Sequence, residues 1–232
     1  MHVLETACSF LAGLAVGYVI ASLTESVLHQ RIGHAPRQTV ERWKQGSLPL
    51  RYLARIHYSH HVVHHLRTFR QDHVTQFRSI QEREQVSSEL AMLGAEGEQI
   101  VRSGYGLRLD GLGGLAFVVP LLPALPWITS QTGASAILGA GIALALPPIF
   151  SHFIHPYLHM PHAQALQQAP KLTGWLLRRW YFRVMARHHY VHHRCPRTNF
   201  NLLLGGDWLR GCHRTVDGAQ RSAMRQLGLR VD

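Results

Sequence analysis

The chain has 232 residues, of which 24 are Lys or Arg and 13 are Asp or Glu, so its net charge is +11 with neutral histidines. The cations are segregated, because residues 1–30 and 111–162 contain no Lys or Arg while 31–108 and 163–230 contain all of them. This pattern is typical of a membrane protein whose basic segments face the cytoplasm, and it disfavours a nucleic-acid partner. The three cysteines form no Cys-x-x-Cys pair, which indicates unpaired thiols in a reducing compartment.

Three uncharged, apolar stretches follow one another along the chain and predict membrane-spanning helices. The first covers about 7–28, and the second and third cover about 112–128 and 134–154, with a Ser-Gln-Thr-Gly turn between the last two. Each approaches the roughly 20 apolar residues that a helix needs to cross a bilayer. One crossing before the first basic segment and two more before the second would leave both on the cytoplasmic side. The prolines at 120, 123 and 126 predict that the second stretch is irregular.

The sequence therefore predicts an all-α integral membrane protein with about three transmembrane helices. A single domain is expected over 1–232, with a cytosolic helical cap formed by 29–110 and 155–232. Within this cap, the polar stretch 81–104 predicts a surface helix and loop. The alternative is a soluble protein in which the apolar stretches are buried core helices.

Histidine is the residue type that stands out, because most of the 18 histidines lie at or just beyond the cytoplasmic ends of the apolar stretches. The first group is His29 and His34, the second is His57, His60, His61, His64 and His65, and the third is His152, His155, His159 and His162 with His188, His189, His192 and His193. In the second and third groups, spacings of three, four and seven residues are typical of one face of an α-helix. His2, His73 and His213 lie outside these groups and are expected to be surface or hydrogen-bonded residues.

Clustered imidazoles indicate a metal centre, since each neutral ring offers one lone pair to a cation. About ten such ligands exceed the four that one tetrahedral ion accepts, so two ions are expected. All-imidazole sites suit iron, copper, zinc or nickel, and the spacing leaves the metal open. Some of the histidines, and one carboxylate, are alternatively partners that hold a ligand ring in its tautomer. These candidates are His60, His152, His162 and His188, together with Glu25 one helical turn before the first group.

Four motifs, in order, resemble those of the fatty acid hydroxylase/sterol desaturase superfamily. His29-Gln-Arg-Ile-Gly-His34 resembles its His-x4-His box, His61-Val-Val-His64-His65 its His-x-x-His-His box, and His155-Pro-Tyr-Leu-His159 its His-x-x-x-His box. His189-Tyr-Val-His192-His193, followed by Asn199-Phe200 and Asp207-Trp-Leu-Arg-Gly211, resembles its closing motif. The similarity covers residues 25 to 211.

The resemblance implies an integral membrane di-iron enzyme with its metal site at the cytosolic face. Carried over by position, the ligands are His29, His34, His61, His64, His65, His155, His159, His189, His192 and His193, with His57 as a further candidate and Asn199 and Asp207 as supporting residues. The His-Pro-Gly-Gly motif of a fused cytochrome-b5-like domain is absent from the sequence, so a separate cytochrome b5-, ferredoxin- or flavoprotein-type electron donor is expected. The membrane would be the inner membrane of a bacterium or the endoplasmic reticulum of a eukaryote.

The expected activity is that of an oxidoreductase, an O2-dependent hydroxylase that uses two Fe2+ ions on a lipid or fatty acyl substrate. Desaturation, or oxidation of a sterol, carotenoid or other isoprenoid, is the alternative at the same metal site. A metal transporter or a haem-binding membrane protein is the non-enzymatic alternative, although a transporter needs polar ligands deep inside its spans. An anionic head group is expected at Arg67, Arg70, Arg183 and Arg187, whose ordinary role would be anchoring to anionic lipid.

Overall fold

The computed structural model describes residues 2–106 and 112–231, and their side chains except those of residues 2, 112–113 and 124–132. The predicted all-α class is confirmed, because 72% of the chain is helical and the described residues contain no strand. The end of the predicted 29–110 cap segment, at 107–110, lies outside the described residues.

Thirteen α-helices are found in the described part of the chain. They are α1 His2–Leu28, α2 Arg37–Lys44, α3 Leu48–His57, α4 Ile80–Ala91, α5 Ala95–Arg102, α6 Leu112–Leu115, α7 Leu125–Phe153, α8 His155–Leu158, α9 His162–Gln168, α10 Lys171–Leu177, α11 Trp180–Arg194, α12 Gly206–Leu209 and α13 Gly218–Gln226. Two π-helical segments, His29–Gly33 and Tyr58–Arg67, extend α1 and α3, and a 3₁₀ segment covers Val119–Ala124.

The two longest helices, α1 and α7, pack closely through small residues. A Cβ added to Gly13 would lie 2.0 Å from the carbonyl oxygen of Ala136, and one added to Gly17 would lie 2.6 Å from Cα of Ala140. Small residues four apart on both helices let the two backbones approach, as in helix pairs of membrane proteins. Because the contacts advance in the same direction along both helices, α1 and α7 run parallel and their carboxyl ends lie together.

Two helical stretches are long and apolar enough to cross a membrane in the described part of the chain, whereas the sequence predicts three. They are Val3–Gly33, which covers α1 from Val3 onward together with the first π-helical segment, and Gly133–Phe153, the second part of α7. The predicted span 112–128 is instead divided among α6, the 3₁₀ segment and the start of α7. Its prolines remove backbone donors and break the helix. The helix α7 is itself interrupted at Gly133, whose φ of 73° suits only glycine readily.

The cap packs on the carboxyl ends of α1 and α7. The main apolar core joins these helices to α11 and to the segment 202–204. A second cluster places Val86 and Leu90 of α4, with Ile100 of α5, against Val63 of the second π-helical segment. The polar stretch 81–104 is therefore two helices that support the histidine-bearing segment, and one face of each is buried.

Candidate metal centre

The first π-helical segment brings His29 and His34 onto one face. The backbone N–H of His34 donates to the carbonyl oxygen of His29 at 3.0 Å, a bond across five residues. In an ordinary α-helix, residues five apart point in directions about 140° apart. The wider π turn aligns them, and the two rings stack with centroids 5.2 Å apart.

The second π-helical segment does the same for His60 and His65, whose Nε2 atoms lie 3.1 Å apart. The α-helical spacing in the sequence favoured His57 and His61 with His64 and His65, and left His60 as a supporting residue. The wider turn instead carries His60 into the centre. His61 lies at its edge, with Nδ1 3.1 Å from Nδ1 of His34.

The helices α8 and α11 supply the remaining rings with ordinary α-helical spacing. His155 and His159 are four residues apart on and just after α8, and His189, His192 and His193 lie on one face of α11. All of these positions were expected to be ligands from the motif resemblance.

The ring nitrogens form two adjacent groups that could each hold a metal ion. Pocket one consists of His29, His34, His60, His65 and His192, and pocket two consists of His64, His155, His159 and His189. In pocket one, Nε2 of His60 lies 2.7 Å from that of His29 and 3.3 Å from that of His34. In pocket two, Nε2 of His189 lies 2.9 Å from that of His159.

The two pockets adjoin each other. His64, His65 and His193 form a further group with converging ligand atoms, and its members belong to or touch both pockets. The rings of His65 and His193 stack at 4.2 Å, and the ring of His64 lies 4.9 Å from that of His193. The arrangement suits a dinuclear centre.

Hydrogen bonding cannot account for these contacts. The Nε2 atom of His60 faces the Nε2 atoms of His29, His34 and His65, yet a neutral imidazole nitrogen carries either one hydrogen or one lone pair. Both ring nitrogens of His64, and Nε2 of His193, are buried without a hydrogen-bond partner among the described residues. Unpaired buried polar atoms cost roughly 1–3 kcal/mol each. A cation would accept the lone pair of each of these rings, so the residues fit bound metal ions.

The spacing of the nitrogens also fits metal ligands. Imidazoles bind at about 2.0–2.1 Å from an ion, which puts neighbouring ligand atoms roughly 3 Å apart. The four Nε2 separations that link His155, His159 and His189, and His34 with His192, range from 2.9 to 3.3 Å. Within the described residues, no Asp, Glu or Cys joins the groups.

Backbone carbonyls fix the tautomer of several rings. The Nδ1–H of His192 donates to the carbonyl oxygen of Thr198 at 2.9 Å, and that of His159 donates to the carbonyl oxygen of His73 at 2.9 Å. The other nitrogen, Nε2, then carries the lone pair toward the centre. Second partners of this kind orient most metal-ligating histidines.

Electrostatics keep the rings neutral. Burial is the main cause that lowers the pKa of His155 and His192 to about 4, and the mutual repulsion of neighbouring histidines adds to it. Burial likewise lowers the pKa of His60, His64 and His159 well below the usual range. Neutral imidazole is the form that binds metal.

A buried polar network ties the closing segment of the motif to α1 and α11. His188 lies 2.9 Å from the carboxylate of Asp207, which also accepts from Ser26 Oγ at 2.5 Å and from the Asn201 backbone N–H at 2.9 Å. Burial is the largest single influence and would raise the pKa of Asp207, but the hydrogen bonds from His188, Ser26 and the Asn201 backbone together outweigh it and lower the pKa. The network fixes the helix that carries His189 and His192.

The other supporting candidates have definite places. Glu25 accepts the backbone N–H groups of Leu202 and Leu203 at 3.0 and 2.9 Å, so it anchors the closing segment and lies outside the ligand groups. Asn199, with φ of 57°, donates to the carbonyl oxygens of His188 and Arg214. Glu25 and Asn199 therefore hold in place the backbone that surrounds pocket one.

Four predicted histidines are not members of the ligand groups. His57 is held by contact of its Nδ1 with the carbonyl oxygen of Ile32 at 3.2 Å, and His61 is half-buried beside it. His152 is exposed, and the ring of His162 lies 3.4 Å from the guanidinium of Arg230.

Three of the four arginines proposed for a head group have protein partners. Arg67 forms an ion pair with Glu89, and Arg70 lies 3.7 Å from Glu82. Arg187 donates to the carbonyl oxygen of Val231. The Nε of Arg183 is buried without a hydrogen-bond partner among the described residues.

His73 was expected to be a surface or hydrogen-bonded residue. It is buried, its Nε2 contacts the carbonyl oxygen of Leu158, and it also joins a ligand group with His159 and His193. It belongs to none of the four motifs and has no histidine within seven residues, so no spacing signal marks it. The burial of His73 depends on how the irregular segment that follows the second π-helical segment folds back onto the centre.

Comparison of the chain with protein families, curated proteins and solved structures finds no match. The case for a function therefore rests on the motifs and on the geometry of the centre.

Proposed function

We propose that this protein is an O2-dependent di-iron hydroxylase that acts on a lipid acyl chain at the membrane. The observation that carries the proposal is the pair of adjacent all-imidazole pockets at the point where two apolar helices end together. The motif resemblance points to the same chemistry.

Membrane insertion is supported by the exposure of the apolar helices. Only 22% of the most apolar window of Val3–Gly33 and 39% of that of Gly133–Phe153 is buried within the protein. A core helix of a soluble protein would be mostly covered, and exposed apolar surface of this extent calls for another apolar medium. The large exposed residues on these helices include Leu11, Val16 and Val19 on α1 and Leu138 and Ile142 on α7.

Iron is proposed on the motif resemblance. The neutral, nitrogen-only ligand set is compatible with it and leaves the positive charge of the ions uncompensated and available to reactants. Bound iron would supply the reduction of O2 and the oxidation of an unactivated C–H bond. The five rings of pocket one and the four of pocket two would hold the ions. The carbonyl oxygens of Thr198 and His73 would keep His192 and His159 in the ligating tautomer.

The protein's own part would be to place the substrate and exclude water. An acyl chain lying along the exposed faces of α1 and α7 would reach the centre where these helices end. Phe200 is buried against the rings of His29, His34 and His192, with centroids 5.8 to 6.0 Å away, and closes that side of pocket one. A dry pocket protects reactive intermediates from solvent.

An anionic head group would bind in the open cavity of about 870 Å³ between α3 and α5. Its lining includes Lys44, Arg51, Arg55 and Arg102, with Glu96 among them. The cavity extends to Gly106, where an added Cβ would lie 3.7 Å from Nδ1 of His64. Basic side chains suit a carboxylate or phosphate, and a head group here would compete with the ion pairs of Lys44 with Glu41, Arg55 with Glu96 and Arg102 with Glu98.

A single-turnover experiment tests the activity without knowledge of the electron donor. One hydroxylation consumes O2, two electrons and two protons and yields the alcohol and water, and the fully reduced diferrous protein holds both electrons. The protein in nanodiscs of mixed phospholipids is loaded with Fe2+ without oxygen and then exposed to isotopically heavy O2. We expect an acyl product that carries one heavy oxygen atom, as measured by mass spectrometry of the extracted lipids.

Matched variants complete the test. His192→Ala removes a ring of pocket one and should abolish the product, whereas His152→Ala, which changes an exposed ring away from the centre, should leave it unchanged. A product that lacks two hydrogens and carries no heavy oxygen would overturn hydroxylation in favour of desaturation. Iron-loaded protein that forms neither product would refute the proposal.

A further inference from the structure

We infer that His73 is an additional metal ligand, which binds an ion of pocket two through Nδ1 although it lies outside the four motifs. The inference rests on the metal-binding part of the proposed function. The ligand class is a divalent first-row transition metal ion, and the neutral nitrogen donor matches the rest of the centre.

His73 is buried beside three of the predicted ligands. Its ring centroid lies 4.4 Å from that of His159, 5.1 Å from that of His193 and 5.6 Å from that of His189. A ligand atom of His73 lies within 4.8 Å of ligand atoms on His159 and His193. Only 3% of the residue is exposed. His73 therefore belongs to the wall of pocket two.

The contacts of the His73 ring determine its tautomer. Its Nε2 lies 2.9 Å from the carbonyl oxygen of Leu158, which can only accept, so Nε2 carries the hydrogen. The lone pair is then on Nδ1, which is buried without a hydrogen-bond partner among the described residues. A backbone carbonyl on one nitrogen and a free lone pair on the other is the arrangement of a metal-ligating histidine.

The surrounding backbone holds His73 in place from both sides. The carbonyl oxygen of His73 accepts the Nδ1–H of His159 at 2.9 Å, so each residue fixes part of the other. The preceding residue, Asp72, accepts the backbone N–H groups of Val74 and Thr75 at 2.7 and 2.6 Å, which folds the chain into a tight turn. The position is therefore preorganised, which lowers the cost of recruiting the ring.

A purely structural role for the ring is the competing explanation, and the choice of variant separates the two. His73→Gln keeps a side-chain N–H for the carbonyl oxygen of Leu158 and keeps the backbone carbonyl that holds His159, but it removes the imidazole lone pair. The matched control is His213→Gln. His213 also has a buried Nδ1 without a hydrogen-bond partner among the described residues, but it stacks on His188 and lies outside the ligand groups.

The experiment compares the full-length proteins loaded with Fe2+, and with Co2+ as a spectroscopic probe. We expect a chelator to remove one of the two ions from His73→Gln at a chelator concentration at least about 100-fold lower than the one that wild type requires. Loss of a residue that only supports a ligand already lowers metal affinity about 10–100-fold. X-ray absorption should count fewer nitrogen ligands per Co2+. Added free imidazole should restore the Co2+ spectrum by occupying the vacated position.

Unchanged chelator resistance and ligand count in His73→Gln, with wild type holding two ions, would overturn the assignment of His73 alone. Wild type that holds no metal would instead refute the proposed function. Thermal unfolding of the metal-free proteins checks folding. If His73→Gln is unfolded, the same measurements on His73→Asn decide, and retention of both ions there would equally overturn the assignment.

Discussion

Gly33 offers a substitution that should disturb the metal centre without disturbing the fold. It is buried in the first π-helical segment, and a Cβ added there would lie 2.9 Å from Cδ2 of His29 and 3.0 Å from Cδ2 of His60. Carbon atoms in contact prefer about 3.5–4.0 Å, so the rings would have to move by roughly 0.5–1 Å. Metal–ligand distances hold to within about 0.2 Å. Gly33→Ala should therefore displace two ligands of pocket one.

The expected effect is a loss of metal affinity with little loss of stability. Misplaced ligand rings should weaken iron binding about 10–100-fold, the range that is typical when the supports of a ligand are removed. In the metal-free protein the rings can turn aside, and alanine in a helical segment is favoured over glycine by up to about 1 kcal/mol. The assay is the chelator concentration that removes half of the iron, together with the melting temperature of the metal-free protein.

Gly141→Ala is the matched control, since nothing lies within 4 Å of a Cβ added to Gly141 on α7. It should hold iron as wild type does. If Gly33→Ala resists the chelator as well as Gly141→Ala does, then His29 and His60 are not ligands in the described positions, and the account of pocket one is wrong.

Three further predictions follow from the packing and the charges. Gly17→Leu places side-chain atoms against the backbone of α7 and should lower the free energy of unfolding by at least about 1–3 kcal/mol, as measured by titration with denaturing detergent. Gly141→Leu, the control, should leave this free energy unchanged. Asp207→Ala leaves His188, the Ser26 hydroxyl and the Asn201 backbone N–H without their buried partner. It should lower the free energy of unfolding in the same titration by about 3–5 kcal/mol. A decrease of less than about 1 kcal/mol would contradict the role of this network. In the folded, metal-free protein, the pKa of His155 and of His192 is lowered from 6.5 to about 4, so between these pH values the unfolded chain binds more protons than the folded one. The contribution of these rings to the free energy of unfolding should be fully present above pH 6.5 and be lost as the pH falls toward 4. A free energy of unfolding that does not change over this range would refute the burial of the two rings.

The sequence was sufficient for the helical class and for most of the histidines that converge. On α8 and α11 the spacing of three and four residues matches an ordinary α-helix, so the periodicity alone brings His155 with His159 and His189 with His192. These positions needed no knowledge of the rest of the fold.

The π-helical segments explain where the ligand groups differ from the α-helical periodicity. A change of backbone hydrogen bonding from four to five residues leaves no mark on the hydrophobic pattern, so α-helical spacing selected His57 and His61 over His60. The signal was the spacing itself. His29 and His34, like His60 and His65, are five residues apart, which fits a π turn and not an α turn.

The second apolar stretch and His73 show two other limits. The stretch 112–128 has the composition of a span, but its prolines set the local backbone and divide it into short pieces. The burial of His73 depends on a turn at Asp72 and on a contact with Leu158, which lies 85 residues further along the chain. Contacts over such a distance leave no local pattern to read.

Metal content measured by mass spectrometry on the detergent-purified protein tests the central claim most directly. The comparison is with a His64→Ala/His192→Ala double variant, which removes one ring from each pocket, and with a His152→Ala/His162→Ala double variant, whose rings lie outside both. We predict two iron ions per chain in the wild type and in the second variant, and loss of iron from the folded first variant. One ion or none in the wild type, or iron that is retained in the first variant, would contradict the account.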